Sequence, residues 1–180
     1  FISLDLAIPW SSTAPAWKKL AHAPSKQYDY PASFSSDEQT LFVFQYQKTT
    51  QPFSYNVEAD QWQLMLESVP NLSIGGIGAV TDPNTGLIYL AGGHSNGGRH
   101  VAPMDTVDIF DPVTYTTHSD ELPIFSETFS LHQKYGNVWS KHLNSVLYWG
   151  GLIAPGDALG NPVMNQVTQL LTGSMIWSTM

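Results

Sequence analysis

"TDPNTGLIYLAGG", residues 81–93, runs from a turn through an apolar strand to a double glycine. Asp, Pro, Asn and Gly supply the dihedral angles of a tight reversal, so 81–86 reads as the tip of a hairpin. The apolar run 87–93 then reads as the strand leaving it. The same succession occurs twice more, as "SSDEQ" (35–39) before "TLFVFQY" (40–46) and as "SKHLNS" (140–145) before "VLYWGG" (146–151). A stretch of small residues precedes each turn: "PASF", "GIGAV" and "YGNVW". Three pairs of strands joined by short turns are therefore predicted.

An alternating segment follows each apolar run: "PFSYNV" (52–57), "TVDIFDP" (106–112) and "NQVTQLL" (165–171), with "FISLDL" (1–6) in the same place at the start. An aromatic residue then stands at a further short strand: Trp17, Trp62, Tyr115 and Trp177. These markers recur at a drifting period of about 50 residues, the signature of a propeller with four strands per blade. Pro and Gly interrupt every window long enough for several helical turns, which excludes a helical reading. The expected fold is all-β, a partial β-propeller of about three four-stranded blades plus two strands of a preceding one. The units fall at 1–20 (end of a preceding blade), 28–67, 74–119 and 134–180. Alternation of Val107 and Ile109 with Asp108 predicts a partly exposed strand.

On these residues the chain resembles kelch-repeat proteins over nearly its whole length. The marks of that family are a double glycine ending the second strand, a downstream Asp-Pro turn and a tryptophan in the fourth strand. Gly92, Gly93 and Asp111 (before Pro112) carry them in the second unit, and Gly150, Gly151 and Trp177 in the third. The first unit has Gln45 and Tyr46 in place of the glycines but keeps Trp62, and the second has Tyr115 where tryptophan is expected. The opening "SLDL…PW" and the loops rich in Asn, Ser and Thr also resemble fungal cell-surface kelch proteins. That resemblance implies an extracellular or surface-anchored setting, where Asn71 of the sequon Asn71-Leu72-Ser73 is a glycosylation candidate. Galactose oxidase shares the propeller type, but its copper cofactor needs a tyrosine crosslinked to cysteine. This sequence has no cysteine.

Composition narrows the partners. Of 180 residues 42% are hydrophobic and 12% charged, enough apolar content for a core. A net charge of −8 with seven Lys and Arg argues against nucleic acid and anionic membranes, both of which want a basic face. No apolar run approaches the length of a spanning helix. Without cysteine there is neither a disulfide framework nor a thiolate metal site. Propellers use about 4–8 blades. Phe1 opens the chain without an initiator methionine. The expectation is a mature product or excised segment, with missing blades supplied by the remainder of the protein or by another chain.

Candidate chemistry centres on "YLAGGHSNGGRH", 89–100. Gly93 and Gly98 have phosphate-loop spacing, but Arg99 and His100 stand where Lys and Ser/Thr are required, and no helix follows. His94 and His100 are two ligands where a closed zinc site needs four, so no metal is expected. Recognition remains: His94, Asn96, Arg99 and His100 offer donors on a long loop, and Asp157 lies on a second one at 152–164. Asp82 and Asp111 already serve turns, and no Ser-His-Asp order or G-x-S-x-G elbow occurs. No catalytic residue and no cofactor are assigned. The expected function is a non-catalytic scaffold that binds protein or glycan through loops at one end. The alternative is the propeller domain of a carbohydrate-active or galactose-oxidase-like enzyme whose chemistry lies elsewhere.

Overall fold

The computed structural model describes residues 2–7, 17–24, 31–44, 51–66, 74–75, 77–91, 94–95, 106–121, 136–150 and 167–180. Every regular element among them is a strand. β1 (Ile2–Leu4) and β2 (Trp17–Lys19) form a two-stranded antiparallel pair. β3 (Ala32–Phe34), β4 (Thr40–Val43), β5 (Phe53–Asn56) and β6 (Gln61–Leu64) form sheet one, paired in chain order. Next come β7 (Ile74–Gly75), β8 (Gly78–Thr81), β9 (Ile88–Ala91), β10 (His94–Ser95), β11 (Thr106–Asp111) and β12 (Thr116–Glu121). Of these, β8, β9, β11 and β12 make sheet two, while β7 pairs with β10. β13 (Gly136–Ser140), β14 (Ser145–Trp149), β15 (Val167–Leu171) and β16 (Ile176–Thr179) make sheet three. All three are four-stranded antiparallel meanders, the arrangement expected of propeller blades.

Their first strands lie side by side, β3 against β8 and β8 against β13. Ser33 and Thr81 share a hydroxyl–hydroxyl bond of 2.7 Å there, and the Thr81 hydroxyl also donates to the Phe34 carbonyl. From that row the sheets pack face to face. Phe42, Phe44 and Met65 of sheet one's side meet Ile88, Leu90 and Phe110 of sheet two. The opposite face of sheet two sends Val80, Tyr89, Ala91, Val107 and Ile109 against Val146, Tyr148, Leu170 and Trp177 of sheet three. Side chains alternate faces along a strand, so a strand apolar at every position serves two partners. β9, buried at all four positions, is such a strand.

The same placement corrects the expectation for β11. Asp108 does not mark a solvent face: it is buried and pairs opposite Leu90 and Ser119. The Ser119 hydroxyl donates to its carboxylate. A buried carboxylate is tolerated because it is hydrogen-bonded.

The third-to-fourth strand turns are built alike in all three sheets. Asn56 pairs with Gln61, Asp111 with Thr116 and Leu171 with Ile176, leaving 57–60, 112–115 and 172–175 as the turns. The last turn residue is left-handed each time: Asp60 (φ 52°), Tyr115 (φ 60°) and Met175 (φ 53°). Tyr115 therefore aligns with Asp60, not with the tryptophans. The register position of Trp62 (opposite Tyr55) and Trp177 (opposite Leu170) is held in sheet two by Thr117, opposite Phe110.

Phe110 is the pivot of the first interface. Its ring is fully buried and meets Phe42 edge-on at 5.3 Å and Phe44 at 5.4 Å. Phe110→Ala should cost about 3–5 kcal/mol, whereas Val113→Ala, at a site 84% exposed, should stay within about 0.5 kcal/mol of the parent. Urea unfolding curves compare the two; equal midpoints would remove the face-to-face packing described here.

Candidate functional site

The two ends of the sheets differ. At one end of the three four-stranded sheets the described connections are short hairpin turns, and turns of sheets two and three are tied to each other. The Asn84 amide donates to Asn144 Oδ1 at 2.8 Å, and the Thr172 hydroxyl donates to Asp82 Oδ2 at 3.1 Å. At the other end the second and third strands are joined by the longer segments 44–52, 92–105 and 150–166. The loop residues expected to recognise a ligand fall, in sequence, within the second and third of these segments. His94 begins β10, whose backbone pairs with Gly75. Gly75 lies three residues before Gly78 and His94 three after Ala91, so this pair prolongs the β8–β9 ladder in the same register. Asn96, Arg99, His100 and Asp157 lie outside the described residues, as do Gly92, Gly93, Gly151 and Asn71. Gly150, at the end of sheet three's second strand, has φ +70°, a conformation natural to glycine.

Trp62 belongs to a polar clamp between the β1–β2 pair and sheet one. Its indole N–H donates to the Ala21 carbonyl at 3.1 Å, and the Ala21 N–H donates to Asp60 Oδ1 at 2.7 Å. The same carboxylate oxygen accepts the Tyr55 hydroxyl at 2.6 Å, and the Tyr55 and Trp62 rings lie 4.9 Å apart. The Ala21 N–H, with the Tyr55 hydroxyl after it, holds Asp60 below the usual carboxylate range. Burial, reinforced by the Asp60 hydrogen bond and charge, pushes the Tyr55 phenol up to about 12. Trp177 instead packs against sheet two, its ring 5.2 Å from that of Tyr148.

At the turn end a cleft of about 380 Å³ opens between sheets one and two. Ser35, Asp37, Thr40, Asn84, Asp111 and Tyr115 are among its lining residues, with Phe42 also in the wall. Asp111 Oδ1 accepts the Val113 N–H at 2.8 Å, and Oδ2 accepts the Thr114 hydroxyl at 2.9 Å. The first of these bonds chiefly, with Thr114 adding to it, lowers the pKa of Asp111. Asp37 is lowered too, by the Ser35 hydroxyl at 2.5 Å and then the Gln39 N–H. A glycosidase pair needs one carboxyl kept protonated as the acid. Both carboxylates are lowered, so they present hydrogen-bond acceptors to the cleft, and neither of the two is kept protonated as that acid role requires. Sequence reasoning assigned Asp82 and Asp111 to turns and missed that the turns of two sheets enclose a space. The only sequence signal is the repetition of Asp-Pro-x-Thr at 82–85 and 111–114.

Among the described residues no three His, Asp or Glu side chains converge on a metal position. No helix among them is long and apolar enough to cross a membrane. Neither a family model nor a curated protein matches this chain.

The clamp has a pH signature. The Tyr55 pKa is raised in the folded state above its ordinary value near 10. Its contribution is therefore complete below pH 10 and falls as pH rises from 10 toward 12. Tyr55→Phe should flatten the fall in stability over that window, measured by urea midpoints at stepped alkaline pH. An unchanged slope would mean that Tyr55 titrates alike folded and unfolded.

Proposed function

We propose that the chain is part of a kelch-type β-propeller that acts as a non-catalytic interaction scaffold, binding protein or glycan through the loops opposite its hairpin turns. One observation carries this reading: short, mutually bonded turns close one end, while 44–52, 92–105 and 150–166 all leave from the other. Long connections on a rigid sheet frame are where binding residues concentrate. The donors His94, Asn96, Arg99 and His100 belong to the second of these segments and Asp157 to the third. In this reading Gly92, Gly93, Asp111, Gly150, Gly151, Trp62 and Trp177 serve the frame, and further sheets belong on its outer faces. Apolar groups that such sheets would cover are exposed: Val138, Trp149 and Ile176 on sheet three, Phe34 and Leu64 on sheet one.

A glycan array and an affinity capture from cell-surface extracts, run with the parent chain and with Arg99→Ala, test the proposal. The expected result is a reproducible glycan or protein ligand whose binding Arg99→Ala weakens at least about tenfold, a loss of about 1.4 kcal/mol, with an unchanged melting curve. Binding untouched by Arg99→Ala would move recognition away from this loop. Copper-dependent peroxide release from sugar alcohols, abolished by chelation, would replace the scaffold reading with an oxidase.

A further inference from the structure

Two hydrogen bonds tie the turns of sheets two and three, and the residues at the equivalent places of sheets one and two can make neither. The Ser35 N–H donates to the Thr40 carbonyl as the Asp82 N–H does to that of Leu87, so Ser35 stands for Asp82 and Asp37 for Asn84. Phe110 and Leu170 hold one register position, opposite Ile88 and Val146. Counted from these pairs, Gly86 stands for Asn144 and Pro112 for Thr172. Gly86 and Asn144 are both left-handed, at φ 77° and 50°, in agreement with that alignment. A proline thus replaces the Thr172 hydroxyl that donates to Asp82, and a glycine replaces the Asn144 amide that meets Asn84. Neither brings a polar side-chain group.

The seam is open where those ties are lost. Ser35, Asp37, Gly86 and Pro112 all line the cleft of about 380 Å³, a volume within the range of about 300–1,000 Å³ usual for small-ligand sites. A Cβ on Gly86 would lie 3.5 Å from the Ser36 hydroxyl oxygen, so position 86 faces sheet one. Asp37 and Asp111 present acceptors, which a ligand must meet with donors. None of the described lining residues is basic, which disfavours an anion. In the closed seam the carboxylate of Asp82 is met by a hydroxyl. Tyr115, 47% exposed, and the rings of Pro83 and Pro112 add apolar surface between the polar groups. A pyranose carries the complement of both, with hydroxyl donors around its rim and C–H groups on its faces.

We propose that this cleft binds a neutral sugar residue, whose hydroxyls donate to Asp37 and Asp111 and whose C–H face packs on Tyr115. The sugar takes the place of the cross-sheet bonds that close the seam between sheets two and three. The cleft lies at the turn end, so this site survives or fails independently of the loop-end scaffold reading.

Saturation-transfer difference NMR of the full chain with the methyl glycosides of glucose, galactose and mannose tests this, with methylguanidinium as a cationic arm. The expected result is saturable transfer to at least one glycoside, unchanged by added salt because the ligand is neutral. Gly86→Asn keeps a left-handed residue that Asn144 already adopts at the equivalent place. It sets an amide beside Asp37, so it should abolish the transfer while melting at or above the parental temperature. Asp37→Ala should weaken binding at least about tenfold. No transfer to any glycoside at millimolar concentration, or parental affinity in either variant, would overturn the proposal. Transfer to methylguanidinium alone would overturn it too, in favour of a cation site. Glycoside binding abolished by Arg99→Ala but kept by Gly86→Asn would place the sugar at the loop end instead. If Gly86→Asn does not fold, Asp37→Ala decides alone.

Discussion

The burial of both faces of sheet two is the constraint on which the rest of the structure depends. β9 and the 107–110 part of β11 are buried at every position, with one row of side chains facing sheet one and the alternate row facing sheet three. Such a sheet cannot stand against water on either side. It requires a neighbour in front and behind, and the short row β3–β8–β13 sets how those neighbours sit. The two outer sheets need this arrangement less symmetrically: each buries one face on sheet two and leaves apolar groups such as Phe34 or Trp149 on the other partly in solvent.

Polar groups then decide how the packed sheets are pinned. Thr81 bonds to sheet one and Asp82, the next residue, bonds to sheet three. Two adjacent side chains at the end of one strand thus hold both neighbours, because adjacent positions point to opposite faces. The Ala21–Asp60–Tyr55–Trp62 clamp does comparable work for the β1–β2 pair. All these bonds are short-range, so they fix the sheets' relative placement while apolar burial supplies most of the attraction.

The hairpins were legible in the sequence because Asp, Asn, Pro and Gly report local dihedral preferences directly. "TDPNTG" forms a turn closed by the Gly86 N–H on the Asp82 carbonyl, with Gly86 at φ +77°. What failed was reading across strands. Asp108 looked like a solvent position because alternation cannot distinguish a wet carboxylate from a buried one bonded to Ser119. Tyr115 looked like the tryptophan substitute because counting along the chain ignores register; the ladder gives that place to Thr117. The turn-end cleft was invisible for a further reason. Its walls come from residues separated by tens of positions, brought together only when two sheets pack. The loop donors Asn96, Arg99 and His100 were legible as chemistry, and the described residues place only the root of their loop.

That root has a consequence for how the chain can vary. The pairing of Gly75 with His94 continues the ladder of Gly78 with Ala91, both arms having advanced by the same number of residues. A residue inserted into one arm alone would slip the register and turn every later side chain to the other face. Length changes below Ser95 are therefore tolerated only in matched pairs, one on each arm. Among the described residues the pair Ser95–Ile74 is the outermost at which this rule ties the two arms together.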